Sequence, residues 1–175
     1  MSIRDMALMV MGMLAFAPVT MAVEPEEIPL EHLSCTSIMV GKKASADGSV
    51  MTSHTCDGRY RTWMNWVAAS YNMPGATTDI CKGLMRTETA ESKDRVEVLG
   101  KIPQVEHTYR FLNTAYPCIN EKRLAMGETT IGGRDTLQNA EGLFYIEELQ
   151  RIALQRCTSA RQAIRLMGDL VREYG

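Results

Sequence analysis

The hydrophobic period of the chain changes once, near Asn139, and that change limits the folds open to it. Beyond this point Leu143, Ile146, Leu149, Ile152 and Ala153 recur at helical spacing, and Ala160, Ala163, Ile164, Met167, Leu170, Val171 and Tyr174 mark one face of a second helix. Thr158 and Ser159 lie between them as candidate caps, and Glu147 and Arg151 are spaced as an i,i+4 ion pair. Before Asn139 the apolar runs are short and alternate. Cys35–Val40 and Val50–Thr55 flank a turn-rich segment containing Asp47-Gly48, a hairpin signal, which leaves Cys35 at the open end of the pair. Tyr60–Ser70 is aromatic and reads as a strand or an irregular wall. Asn72–Asp94 reads mostly as loop, and Val105–Asn113 and Leu124–Ile131 read as strands. Two amphipathic helices following several strands predict an α+β chain, in which each helix buries its apolar stripe against a sheet.

The first residues belong to a different regime. Arg4 precedes an almost wholly apolar run from Met6 to Val19, and Thr20 and Ala22 are small residues at the positions a signal peptidase requires. The run is shorter than the roughly 20 residues of a comfortable membrane span. Residues 1–22 are therefore expected to be an export signal, which places the mature protein in the periplasm or outside the cell and leaves it no integral membrane span. Residues 23–34 are acidic, carry two prolines and show no period, as a propeptide or linker would. Cys35 does not fit a lipoprotein site, because the apolar run ends well before it and His32 stands where an aliphatic residue is needed.

Composition narrows the function. Apolar residues make up 45% and charged residues 23%, as in a globular chain, and the formal net charge is −2. No basic stripe is present, so no nucleic-acid partner is expected. The five cysteines form no C-x-x-C, so neither a zinc ribbon nor a thioredoxin-type site is supported, and no metal or other cofactor is expected. In an exported protein their odd number implies at least one unpaired thiol. Trp63 and Trp66 could line a pocket, although packing is the commoner use of such a pair. Gly132-Gly133-Arg134 is a turn, without the spacing of a phosphate loop.

A cysteine made N-terminal by processing holds its thiol and its α-amine on one residue. The amine titrates near ~7.7–8.0 and the thiol near ~8.5, so the amine can take the thiol proton close to neutral pH. From the residues alone Cys35 is only a candidate for this use, because a lone cysteine near a strand start is more often a buried small hydrophobe. The stretch CTSIMVGKKASADGSVM at Cys35–Met51 resembles the mature N-terminus of the peptidase family C69 dipeptidases, which are N-terminal-nucleophile (Ntn) hydrolases. The block YPCINEKRLAMGETTIGGR at Tyr116–Arg134 is similar to the family's second characteristic segment, and Glu141–Ile164 is similar to the helices that follow it.

The resemblance implies an αββα sandwich of the Ntn type over residues 35–175, represented by its first part because the related enzymes are longer. It implies a cysteine-type dipeptidase acting on dipeptides or short peptides. Cys35 would be the nucleophile, Asp57 would hold its amine or thiol, and Asn120 would donate its side-chain amide to the oxyanion. Many relatives carry an Arg three residues before the Asp. His54 stands there in this chain, and Arg59 or Arg61 could substitute for the missing charge. Two other readings remain open: an amidohydrolase of the bile-salt or β-lactam type using the same nucleophile, and a secreted, non-catalytic fragment.

Overall fold

The turn between the first two strands sets their register. In the computed structural model, which describes residues 35–56, 60–87, 96–129, 133–137 and 139–175, β1 (Ser37–Val40) pairs antiparallel with β2 (Met51–His54), Ser37 opposite His54 and Val40 opposite Met51. Gly48 takes a positive φ of 74°, and the Asp47 carboxylate accepts the Ser49 N–H at 2.9 Å. This is the turn chemistry expected of an Asp-Gly pair. Ile38, Met39, Val50 and Met51 are all exposed, so the hairpin is held by its turn and ladder more than by a core. Residues 1–22, expected to be an export signal, and residues 23–34, expected to be a propeptide or linker, lie outside the described residues.

Three further small antiparallel sheets follow. β3 (Asn65–Val67), β8 (Phe111–Asn113) and β9 (Ile119–Asn120) form one sheet in the order β3-β8-β9, and β4 (Ser70–Tyr71) pairs with β7 (His107–Thr108). The longest pair joins β5 (Thr77–Lys82) to β6 (Glu97–Pro103), with an irregularity at Ile80/Cys81. The region Asn72–Asp94, expected to be mostly loop, therefore contains all of β5. Its threonines and charged residues hide a strand that buries chiefly Ile80. The single strand expected over Val105–Asn113 is divided between two sheets. The strand expected over Leu124–Ile131 is reduced, among the described residues, to a bridge between Ile119 and Ala125.

Both helices form where the period placed them. α1 (Ile146–Arg156) is followed by α2 (Ala160–Tyr174), whose N-cap is Ser159, with its hydroxyl 3.5 Å from the Gln162 N–H. Ala153 and Leu154 of α1 pack with Phe111, Leu124, Cys157 and Ala163, while Leu149 and Ile152 pack with Ile80, Ile102 and Leu170. Partly buried Leu166 and Met167 of α2 touch both clusters. The expected Glu147–Arg151 pair is replaced by Glu148–Arg151 at 2.7 Å. Glu148 is fully buried and also accepts the Cys81 N–H of β5 at 3.0 Å. The ion pair thus ties the helix to the sheet, which an exposed i,i+4 pair would not do.

The α+β expectation holds. The strands of the described residues form four small antiparallel sheets, of which β3-β8-β9 and β5-β6 supply core residues packed against the two helices. No helix among the described residues is long and apolar enough to cross a membrane.

Candidate active site

The hairpin continues past its named strands. The Thr55 N–H donates to the Thr36 carbonyl at 2.9 Å, and the Thr36 N–H donates to the Thr55 hydroxyl at 3.1 Å. Carried outward by two more pairs, the register of Ser37 opposite His54 sets Cys35 directly across from Cys56. Their sulfurs lie 3.9 Å apart. None of the five cysteines is in a disulfide.

Three more side chains close on this pair. The Tyr116 hydroxyl lies 3.8 Å from the Cys56 sulfur, and a Glu128 carboxylate oxygen lies 4.0 Å from it. Tyr60 stands edge-on to Tyr116, with ring centroids 5.7 Å apart. Side chains two residues apart on a strand share a face, so Thr52, His54 and Cys56 all project from one side of β2 and its extension. The segment carrying Glu128 runs along that face. A Cβ added at Gly127 would stand 3.0 Å from His54 Nδ1 and 3.6 Å from the Thr52 hydroxyl, so Gly127 is what lets the backbone come this close.

Electrostatics define the role of Cys56. Burial pushes the Cys56 thiol above its ordinary range, and hydrogen bonds from Tyr60 and Tyr116 only partly oppose this. Tyr116 is held well above the usual phenol range, mainly by burial, and Tyr60 is raised chiefly by its hydrogen bond to Cys56. At neutral pH Cys56 is a thiol and both phenols are neutral donors. Cys56 therefore lacks the thiolate character of a nucleophile.

Each residue singled out from the sequence has a definite place, except Asp57 and Arg59, which lie outside the described residues. Cys35 and His54 come to the same end of the hairpin. Arg61 is buried and has another task. Its guanidinium donates to the carbonyls of Thr114 and Leu84 and to the Asn113 side chain at 2.6 Å, and stacks 4.4 Å over the Trp63 ring. Burial pulls it down to about 10, opposed by Glu147, and it remains a cation at neutral pH. Rather than assisting a thiolate, Arg61 anchors the segment that delivers Tyr116.

Asn120 is likewise occupied. It is 3% exposed, and its amide N–H groups donate to the carbonyls of Leu154 and Cys157, each at 2.8 Å. Its side-chain oxygen accepts the N–H groups of Lys122 and Leu124, each at 3.0 Å. In this arrangement it has no N–H left for an oxyanion. It acts as a cap on the last turn of α1, whose carbonyls lack partners within the helix.

Cys56, Tyr60, Tyr116 and Glu128 were not singled out as site residues by sequence reasoning. The hairpin register was the one signal that could have found Cys56. Trp63 donates its indole N–H to Thr87 and Trp66 stacks with Arg110, so both serve packing and surface contacts. A surface cavity of about 290 Å³ lined by Lys82, Glu97, Leu143 and Tyr145 shares no residue with the thiol cluster.

An α+β chain that gathers a cysteine, a second thiol, two phenols and a carboxylate at one hairpin end has the makings of a thiol-dependent site. Comparison with known proteins gives the family. The model of peptidase family C69 matches residues 34–175, opening one residue before Cys35. The chain belongs to peptidase family C69. It is 29% identical over 165 residues to a probable dipeptidase of Latilactobacillus sakei, an alignment covering 83% of this chain and 31% of that protein. The chain thus spans about a third of that relative's length. No solved structure matches it.

Proposed function

We propose that the chain is the front part of an exported cysteine dipeptidase in which Cys35, freed as the N-terminal residue, is the nucleophile. The observation that carries this reading is the pairing of Cys35 with Cys56 at the open end of the hairpin, beside neutral phenols and His54. Family membership and the dipeptidase-named relative support the substrate class. The match opening at residue 34 is consistent with a mature protein that begins at Cys35.

The Cys35 α-amine takes the thiol proton, and the thiolate sulfur attacks the scissile carbonyl carbon. The resulting ammonium then protonates the leaving amine as the C–N bond breaks. Water attacks the thioester, releases the acyl group as a carboxylate and restores the thiol. The hydroxyls of Tyr60 and Tyr116 are neutral donors toward negative charge at this end of the hairpin. Asp57 follows Cys56 in sequence and is proposed to hold the Cys35 amine. The αββα sandwich would be completed by sequence corresponding to the rest of the longer relative.

The test is turnover of free dipeptides by purified, full-length enzyme. Cys35→Ala abolishes it if the reading is right, and retained turnover sinks it. A panel adding N-blocked dipeptides and acyl amides separates a dipeptidase, which requires the free peptide amine, from an amidohydrolase of another kind.

A further inference from the structure

The sulfurs of Cys35 and Cys56 and a carboxylate oxygen of Glu128 all lie within 4.8 Å of one another, on three partly buried side chains reachable from solvent. Two edges of this triangle are 3.9 Å, sulfur to sulfur, and 4.0 Å, sulfur to oxygen. A tetrahedral zinc ion has Zn–S bonds near ~2.3 Å and Zn–O bonds near ~2.0–2.2 Å. Those lengths place two coordinating sulfurs roughly 3.8 Å apart, and a sulfur and an oxygen roughly 3.6 Å apart. The cluster needs only a few tenths of an ångström along these two edges, and less than about 1.2 Å along the third, to become one face of such a tetrahedron.

We propose that Cys35, Cys56 and Glu128 bind a single thiophilic divalent cation of the Zn²⁺ class, and that occupancy withholds the Cys35 sulfur from substrate. The donor chemistry selects the ion. Two sulfurs with one oxygen favour zinc over magnesium or calcium, which demand oxygen shells. The fourth position stays with water. In the processed protein it can go instead to the Cys35 α-amine, which closes a five-membered ring with the sulfur of the same residue. Binding is expected from the three side chains alone, whereas inhibition rests on Cys35 being the nucleophile.

The experiment uses freshly reduced full chain and follows metal rather than turnover. Zn²⁺ is titrated against a chromophoric chelator, and Co²⁺ serves as the spectroscopic probe. The expected result is one equivalent per chain, with a thiolate-to-cobalt charge-transfer band and tetrahedral ligand-field bands. Cys35→Ser, Cys56→Ser and Glu128→Gln each weaken Zn²⁺ binding by at least ~10-fold, the loss that even outer-shell changes bring. Cys118→Ser leaves it unchanged. Circular dichroism of each variant shows whether it is folded, and Glu128→Gln, nearly isosteric, is the variant least exposed to misfolding.

A Co²⁺ spectrum without thiolate bands overturns the site. So does unchanged affinity in both cysteine variants, or a persistent Cys35–Cys56 disulfide in the exported protein. If binding holds while Cys35→Ala retains dipeptidase turnover, the cation site stands and the nucleophile assignment falls. The two failures are therefore separable.

Discussion

Replacing Asn120 by Ala separates two roles for one side chain. An oxyanion donor contributes to turnover and little to stability. A cap that satisfies four backbone groups contributes mainly to stability. The structure shows the second arrangement, with donation to Leu154 and Cys157 and acceptance from Lys122 and Leu124. In Asn120→Ala the Leu154 and Cys157 carbonyls lose these partners while both residues stay buried. Each buried group left unsatisfied costs about 1–3 kcal/mol. Taking the middle of that range for the two carbonyls alone, the loss is about 4 kcal/mol. Against a typical total of about 5–15 kcal/mol this is severe. A domain of this size loses about 2–4 °C in Tm per kcal/mol, so the expected drop is about 8–16 °C. Thermal melting followed by circular dichroism at 222 nm (a helix-sensitive wavelength) reads it directly. Asn120→Asp keeps the acceptor and loses both donors, so it should fall at least as far. A drop under ~2 °C in Asn120→Ala, with turnover abolished in the full-length enzyme, would refute the capping argument and return Asn120 to the oxyanion.

Two further predictions concern the supports of the site. Arg61→Lys replaces a planar fork serving Thr114, Leu84 and Asn113 with a single ammonium, and should cost about 2–3 kcal/mol. A urea midpoint equal to wild type would contradict the anchoring role. The thiols of Cys56, Cys118 and Cys157 are all raised by burial, so as pH climbs past the ordinary thiol value near ~8.5 the unfolded chain gives up these protons before the folded one does. The unfolded state then binds fewer protons, and stability falls with rising pH from that point, with no contribution from these groups below it. A Tm that stays flat or rises between about pH 8.5 and 10 would show that the thiols are not held protonated by the fold.

What was legible in the sequence follows the reach of each signal. The β1–β2 hairpin was readable because Asp47-Gly48 is a local turn code, and the two helices because a 3.6-residue period persists over 11 and 15 residues. β5 was missed because Thr77, Thr78, Asp79 and Lys82 surround its one fully buried residue, Ile80, so apolar alternation is almost absent. The run at Val105–Asn113 alternates as a strand should. No local pattern reveals that His107–Thr108 and Phe111–Asn113 pair with different partners.

The site divides in the same way. Cys35 is a candidate in the local sequence and in the resemblance, and the hairpin sets it beside Cys56. Cys56 follows only once the hairpin register is fixed to the residue, since a slip of one would turn it to the other face. Tyr116 and Glu128 reach Cys56 across 60 and 72 residues of chain, and their arrival depends on Arg61 and Gly127, neither of which carries a local mark of that task. Asn120 sits in a segment that resembles the family's pattern, and its bonds to the end of α1 are a tertiary fact that the segment itself does not display.

The proposal that one residue supplies both nucleophile and base is tested most directly by the intact mass and N-terminal sequence of the protein purified from the cells that make it. The expected result is a mature chain that begins at Cys35, with thiol and α-amine together at the end of the hairpin. A chain that begins at Val23 and stays so through purification would leave Cys35 without its amine, and would contradict the mechanism.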